Sequence, residues 1–448
     1  MDNVIKKNIT GTHVTGGPVI GIVAEYDPFH NGHALHLAKA RSAVGANADR
    51  ASASGTTIPI VVALSSSFTQ RGLPAFADKM ARSKMALANG VNLVLELPFV
   101  HACNSASEFA LGSVGILAAT QLVTHLAFGV EDAAAFHDPI LDDLLRILIQ
   151  EPLSFKLNLR GNLASGCSYP KALALALESE VPGSQKFVSS PNNALAISYL
   201  TEVQRAGHRL VPIPVQREGS GHNDETAGRL ASASAIRKAL SGTGEQESGW
   251  TKEAMPPPVM SILAEERAQG RLWLNTGKLW DLLRGLLARS TPGAWRNCAL
   301  RGCAGMEEGM ENLFLKHYAR ANSYEDFIGR CVCARYTRTR LQRQTIRCLA
   351  GLDRWTAASL SRFSRNRPPY IRVLGYDELG RELLRERKKI GAAVPMITRL
   401  SAATGAIGKQ AADVEFRASR LREILLPNPD LTREEKLIPL FHDSGEDV

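Results

Sequence analysis

Short apolar runs alternate with stretches of helical spacing through the first half of the chain. Val19 to Val23, Ile58 to Leu64, Asn92 to Glu96, His125 to Phe128 and Arg209 to Val215 are brief, β-branched and almost continuously apolar, as strands buried on both faces are. Between them, His33 to Val44, Ala75 to Asn89, Ser105 to Thr120 and Ala194 to Ala206 carry helical spacing, and Asn89-Gly90 reads as a helix stop. Strand and helix in this alternation predict an α/β fold with a mostly parallel sheet. From about Gly242 the pattern changes: "SGTGEQESGW" is a polar, Gly/Ser-rich joint, and the chain beyond it is mainly helical in spacing. The expected organisation is a flexible tail over 1–18, an α/β domain over 19–243 and a mainly helical domain over 244–448. A small strand and helix near 370–390 is expected inside that second domain, and residues 45–57 read as a lengthened surface loop.

Composition changes this picture only modestly. The 448 residues suit two domains. With 53 Lys+Arg against 44 Asp+Glu the net charge is +9, compatible with a polyanionic partner without requiring one. Seven cysteines, an odd number, and the lack of an apolar run near the roughly 20 residues of a membrane span argue against secretion and membrane insertion. A soluble protein of the reducing cytoplasm is expected.

Candidate chemistry begins where the first strand should turn into the first helix, in "AEYDPFHNGHALH". There His30 and His33 flank Asn31-Gly32, and the free N–H groups of a helix start favour an anion. Gly32 would let the backbone approach a phosphate, and the imidazoles could donate to α-phosphate oxygens while pyrophosphate is displaced. Surface or capping histidines are the alternative, and no Cys or carboxylate at ligand spacing accompanies the pair to make a metal site. A second element, Ser232-Ala-Ser234-Ala-Ile-Arg237, would place two hydroxyls and a guanidinium at another helix start. These could bind β and γ oxygens, or Ser232 could simply cap the helix. Together they describe an enzyme that grips a triphosphate from two sides.

The second domain carries an acid-free stretch from Gly329 through Leu352 with Arg335, Arg338, Arg340, Arg343 and Arg347. On a helix, Arg340, Arg343 and Arg347 share one sector and Leu341, Thr345, Cys348 and Leu352 lie roughly opposite, predicting an outward guanidinium stripe. Arg362, Arg365, Arg367 and Arg372 come next, interleaved with Trp355, Phe363 and Tyr370, a composition suited to phosphates and unstacked bases, although basic faces are commonly just solvated. Cys331 and Cys333 lack a second pair at zinc spacing and read as packed thiols.

The blocks "GIVAEYDPFHNGHALHLAKAR", "SSSFTQRGLPAFADKMARSKMALANGVNLVLELPF", "GCSYPKALA", "SPNNALAISYL", "REGSGHND", "SASAIRK", "RYTRTRLQR" and "PPYIRVLGYDELGRELL" occur in that order. With the His-x-Gly-His and Ser-x-Ser-x-Ile-Arg elements they resemble the bacterial tRNA(Met) cytidine acetate ligases, within the nucleotidyltransferases with HIGH-type motifs. The resemblance implies a Rossmann-like nucleotidyltransferase domain followed by a helical RNA-binding domain. It implies an ATP-dependent ligase, with Mg2+ accompanying ATP, that makes acetyl-adenylate and acetylates the wobble cytidine of elongator tRNA(Met). By motif, His30, His33, Ser232, Ser234 and Arg237 would be catalytic. The nucleotide site would comprise Val23, Ala24, Glu25, Tyr26, Asp27, Pro28, Phe29, His30, Asn31, Gly32, His33, Ala34, Leu35 and His36, with Gly129, Asn192 or Asn193, and Arg217. Gln70, Arg71, Asp78 and Lys79 are substrate-pocket candidates on the same crevice edge, and Glu96 could orient a basic neighbour. Arg335, Arg338, Arg340, Arg343, Arg347, Arg365, Arg367 and Arg372 would bind tRNA. An adenylyltransferase acting on a small phosphorylated metabolite and a non-catalytic tRNA-binding protein are the competing readings. Departures from the family pattern fall at Asp27, where an Asn is usual and a carboxylate could hold magnesium or cap a helix, and at Ser66, Ser67, His222 and Cys331.

Overall fold

The computed structural model describes residues 17–47, 57–218, 228–241, 249–273, 275–290, 300–307 and 309–443. The expected tail up to residue 16, most of the 45–57 loop, the joint over 242–248 and the departure at His222 lie outside the described residues.

The first half has the predicted alternation: β1 (Ile20–Ala24), α1 (Asn31–Asn47), β2 (Ile60–Ser65), α2 (Lys79–Leu87), β3 (Leu93–Leu97), α3 (Phe99–Ala102), α4 (Ala106–Ala119), β4 (His125–Val130), α5 (Pro191–Arg205), β5 (Val211–Gln216) and α6 (Ala233–Leu240). Five strands run parallel in the order β5-β4-β1-β2-β3. The order reverses between β1 and β4, which opens a crevice at their C-terminal ends. Every residue of β2 and β3 is buried, and each large apolar side chain there contributes about 1.5–3 kcal/mol.

Helix α2 starts later than its spacing predicts. Asp78 caps it, accepting from the Ala81 N–H at 2.7 Å, while the segment before it is tied elsewhere: Phe68 bridges Pro74, the Ala75 N–H donates to Ser67 O, and the Phe76 N–H donates to Asp27 Oδ1 at 2.7 Å. Tertiary bonds thus override local helical spacing.

The second half is mainly helical, including α7 (Arg338–Leu349), α8 (Arg354–Ser364), α9 (Gly405–Leu425) and α10 (Arg433–Lys436). Its late strand, β6 (Ile371–Tyr376), does not belong to a separate unit. It pairs antiparallel with β3, and the short β7 (Met396–Ile397) and β8 (Leu440–Phe441) pair with it in turn. Ile371 and Val373 bury among the side chains of one sheet face, and Leu374 among those of the other. Phe68, Phe99, Val100 and Cys103 from the first half share a core with the later helices. The cores are therefore not divided at residue 243: β3 would otherwise end the sheet with open backbone groups, and β6 covers them.

Candidate active site

The end of β1 delivers the His pair into the crevice. The His30 carbonyl accepts from the His33 and Ala34 N–H groups at 2.8 and 3.2 Å and so opens α1. The two imidazoles stack with centroids 3.7 Å apart. Their tautomers are set by the backbone. The Gly32 N–H donates to His30 Nδ1 at 3.1 Å, and the His30 N–H donates to His33 Nδ1 at 3.2 Å. With each Nδ1 accepting, the proton of each neutral ring sits on Nε2, leaving two parallel donors. Burial, together with Arg217 and Arg237, pulls the His30 pKa down to about 3. Burial and the neighbouring His30 and His36 hold His33 well below its ordinary value, and burial with Arg217 and Lys39 lowers His36 to about 4. All three are neutral at pH 7.

The Ser-x-Ser-x-Ile-Arg element reaches the same place. Arg237 donates to the Asp27 carbonyl and lies 3.6 Å from the Asp27 carboxylate, while its Nη2 is 3.3 Å from Ser234 Oγ. Ser232 is the N-cap of α6, accepting from the Ala235 N–H at 3.2 Å, which is the capping role its position allowed. Asn31 bridges to the far side, donating to the carbonyls of Arg229 and Glu253 at 3.1 and 2.6 Å. Tyr26, Pro28 and Phe29 are buried beneath the pair, and Tyr26 meets His33 edge-on at 4.8 Å.

Across β1, Gly129 sits in β4 beside Arg217, whose Cγ a Cβ there would meet at an ordinary contact distance of 3.4 Å. Asn193 is buried and committed to the fold, accepting from the Glu131 N–H at 3.1 Å and donating to the Lys186 carbonyl at 3.0 Å. Asn192 is the less buried member of the pair and donates to the Glu131 carboxylate at 2.6 Å. The carboxylates beside the crevice are engaged: Glu25 by the Gln70 N–H at 2.6 Å, and Asp27 by Phe76 and Arg237. Asp27 therefore neither caps a helix nor stands ready for a cation. No group of three metal-ligating side chains occurs among the described residues.

Several expected ligand groups are turned inward. Lys79 is 2% exposed and pairs with Glu96, with Glu434 at 2.9 Å and with Glu415 at 3.2 Å. Burial alone would lower its pKa, but Glu434, Glu96 and Glu415 outweigh that and raise it. Arg372, 1% exposed, joins the same cluster through Glu96 at 3.2 Å and through Glu434. A buried cation needs this many partners, and neither side chain is free to meet acetate or RNA. Asp78 caps α2 and pairs with Arg433. Gln70 and Arg71 do stand at the crevice: Gln70 binds Glu25, and Arg71, half-buried, feels the Glu25 charge.

The arginine stripe of α7 likewise differs from its expected orientation. Arg340 is half-buried over the Tyr336 ring, Arg343 donates to the Gln70 carbonyl at 3.3 Å, and Arg347 is 9% exposed. The stripe packs against the loop after β2, because Gly72 at φ +77° lets that loop lie on the α7 backbone. Arg335, Arg338, Arg365 and Arg367 are exposed, with Arg338 paired to Glu325 at 2.7 Å and Arg365 within 4.0 Å of Glu108. Cys331 is a packed thiol, whereas Cys333 is exposed, because Cys331 ends a helix and Cys333 has already left it.

One residue that the sequence pattern does not single out is Arg82. Fully buried, it donates to the Glu25 carbonyl at 2.7 Å, to Ser65 Oγ and Ala77 O at 3.0 Å, and to the Ser66 carbonyl. It ties the ends of β1 and β2 together under the site. In sequence it is one more charge on the helix face that already carries Asp78 and Lys79, which gives no separate signal.

A profile described as HIGH Nucleotidyl Transferase matches residues 18–436. Curated proteins named tRNA(Met) cytidine acetate ligase are similar over most of their length: that of Acetivibrio thermocellus is 33% identical over 419 residues, covering 92% of this chain and 96% of its own, and that of Caldicellulosiruptor saccharolyticus is 36% identical over 386 residues, covering 85% and 86%. Crystal structures of Thermotoga maritima TmcAL superpose with TM-scores of 0.83 in the apo form and 0.81 with bound alpha-thio ATP. Both are 27% identical and cover 95% of this chain and all of theirs.

Proposed function

This chain belongs to the tRNA(Met) cytidine acetate ligase family of HIGH nucleotidyl transferases, and on that premise we propose that it activates acetate with ATP and acetylates the wobble cytidine of elongator tRNA(Met). The observation that carries the reading is the meeting of the His30 and His33 donors with Ser234 and Arg237 around Asp27 at one strand end.

In the first step an acetate oxygen attacks the α-phosphorus of ATP and pyrophosphate leaves. Such a displacement needs positioning and charge stabilisation rather than a protein nucleophile. Two neutral imidazoles suit it: each offers an N–H to a non-bridging oxygen without adding a cation that would over-stabilise bound ATP. Arg237 and Ser234 face the outer phosphates, and Arg217 and Asn192 flank the adenosine side. In the second step the cytidine N4 attacks the acetyl carbonyl, AMP leaves, and one N4 proton is lost. The protein would work in the cytoplasm, where its tRNA is. Among the described residues no helix is long and apolar enough to cross a membrane.

Incubation with ATP, labelled acetate and tRNA(Met), with mass spectrometry of the nucleosides afterwards, tests the reading. N4-acetylcytidine together with AMP and pyrophosphate is expected. Pyrophosphate release that depends on a phosphorylated metabolite instead would overturn it.

A further inference from the structure

All six cysteines among the described residues are thiols, and two that are far apart in sequence come together. The segment 301–304 is fastened to the C-terminal end of α7 and to the turn beyond it. The Ala304 N–H donates to the Leu352 carbonyl and the Arg354 N–H to the Gly302 carbonyl, each at 2.9 Å, and Cys303 pairs with Asp353 in an antiparallel bridge. The Gln344 side chain donates to the Ala304 carbonyl at 2.6 Å. Cys348 stands one helical turn after Gln344 and four residues before Leu352, so the two residues that grip Ala304 flank it. Its thiol meets the adjacent Cys303 and donates a hydrogen bond to that sulfur. Both belong to the core shared by the later helices, near its edge: Cys303 is 8% exposed and Cys348 5%.

The two thiols are not equivalent. The hydrogen bond from Cys348 outweighs burial and, with Arg347 nearby, holds the Cys303 thiol below its ordinary value, Asp353 opposing. A thiolate beside a cation is the reactive form of cysteine, and a second thiol in contact with it can resolve an oxidised sulfur. Burial works the other way at Cys103 and Cys331, whose thiols are pushed up to about 12 and so stay protonated and unreactive. Neither Cys303 nor Cys348 has a part in the acetylation proposed above.

We propose that Cys303 and Cys348 form an oxidant-responsive latch: hydrogen peroxide converts them to an intramolecular disulfide that ties 301–304 to α7, and a small thiol such as glutathione reopens it. The Cys303 thiolate attacks one peroxide oxygen and the O–O bond breaks. The hydroxide that leaves takes up the proton the thiol gave up, so the products are a sulfenic acid and water. The Cys348 sulfur then attacks the Cys303 sulfur, the S–O bond breaks, and the Cys348 proton leaves with that hydroxide as a second water. Two thiols are oxidised and one peroxide is reduced. Reopening runs through a mixed disulfide and oxidises two glutathione thiols in turn. The closed bond joins distant parts of the chain and so restrains the unfolded state.

The full chain, freshly reduced, is treated with hydrogen peroxide, its remaining thiols are blocked with N-ethylmaleimide, and the unreduced peptides are mapped by mass spectrometry. The expected product is a cross-link between the peptides bearing Cys303 and Cys348, two hydrogens lighter than their sum and reversed by glutathione. Cys103 and Cys331 should remain open to alkylation once the protein is unfolded. In Cys348→Ser the reaction should stop at a Cys303 sulfenic acid that dimedone captures, and in Cys303→Ser the remaining Cys348 should capture none. Oxidation should raise the urea midpoint of the wild type and of neither variant. The wild-type map decides the pairing even where a serine variant fails to fold. Peroxide that consumes the exposed Cys333 and leaves the pair as thiols would overturn the latch. So would a cross-link to any other cysteine, one that forms only in urea, or a cross-linked wild type no harder to unfold.

Discussion

Arg237 lies 3.6 Å from the Asp27 carboxylate and donates to the carbonyl oxygen of the same residue. A residue of the loop between β1 and α1 is thereby bonded to one from the helix after β5, far apart in sequence but on one crevice. A single salt bridge cannot create the crevice; it fixes how the two phosphate-facing elements sit relative to each other.

If the two imidazoles are donors to the reacting phosphate, His30→Ala and His33→Ala should each lower the single-turnover acetylation rate by about 10²–10³, the usual effect of removing one such donor. tRNA affinity, measured by filter binding, should not change. A loss of tRNA affinity in parallel with rate would assign the histidines to folding instead.

The depressed histidines also set a pH dependence of stability. In the unfolded chain they titrate near 6.5, whereas in the folded protein His30 titrates at about 3 and His36 at about 4. Below pH 6.5 the unfolded state binds more protons, so stability should fall as pH drops from about 6.5 towards 4. Urea midpoints recorded across that range should show the fall, and His36→Asn should flatten it. Identical pH profiles for the two proteins would exclude His36 as a source.

Lys79 sits among three carboxylates, so Lys79→Met should cost roughly 3–5 kcal/mol of unfolding free energy by leaving Glu415 without a cation and Glu96 and Glu434 with Arg372 alone. Isothermal titration of the folded fraction should find ATP affinity unaltered. An ATP defect with little loss of stability would return Lys79 to the ligand site.

The outer face of α8 offers the better external RNA surface. Trp355 is 78% exposed, and Arg365 is exposed just beyond the end of the same helix. Trp355→Ala should weaken tRNA binding by about 1–3 kcal/mol if it stacks on a base. Arg365→Ala should reduce the salt slope by about one phosphate contact. Titrations at several ionic strengths separate the two effects, and an unchanged slope would remove Arg365 from the interface.

The chemistry at β1 was legible because it is local. A short apolar run, an Asn-Gly step and two histidines within four residues specify strand, turn and helix with little outside help. That Ser234 and Arg237 stand together at a second helix start was legible, although only the fold shows that Asp27 joins them. The charges that misled lie where several distant segments converge. Glu96, Glu415 and Glu434 come from β3, α9 and α10, and nothing near Lys79 or Arg372 in sequence announces them. The stripe on α7 has the same cause: helical periodicity shows that Arg340, Arg343 and Arg347 share a face, but not that the Gly72 loop covers it.

The pairing of β6 with β3 makes the two halves of the chain interdependent. A protein stopped before residue 371 would keep β1 and the helix starts that face it and still expose the apolar five-residue margin of β3, a template for association with other copies. In evolution, neither half could be exchanged or lost alone without sealing that margin some other way, so catalytic sheet and helical region are bound to be inherited together.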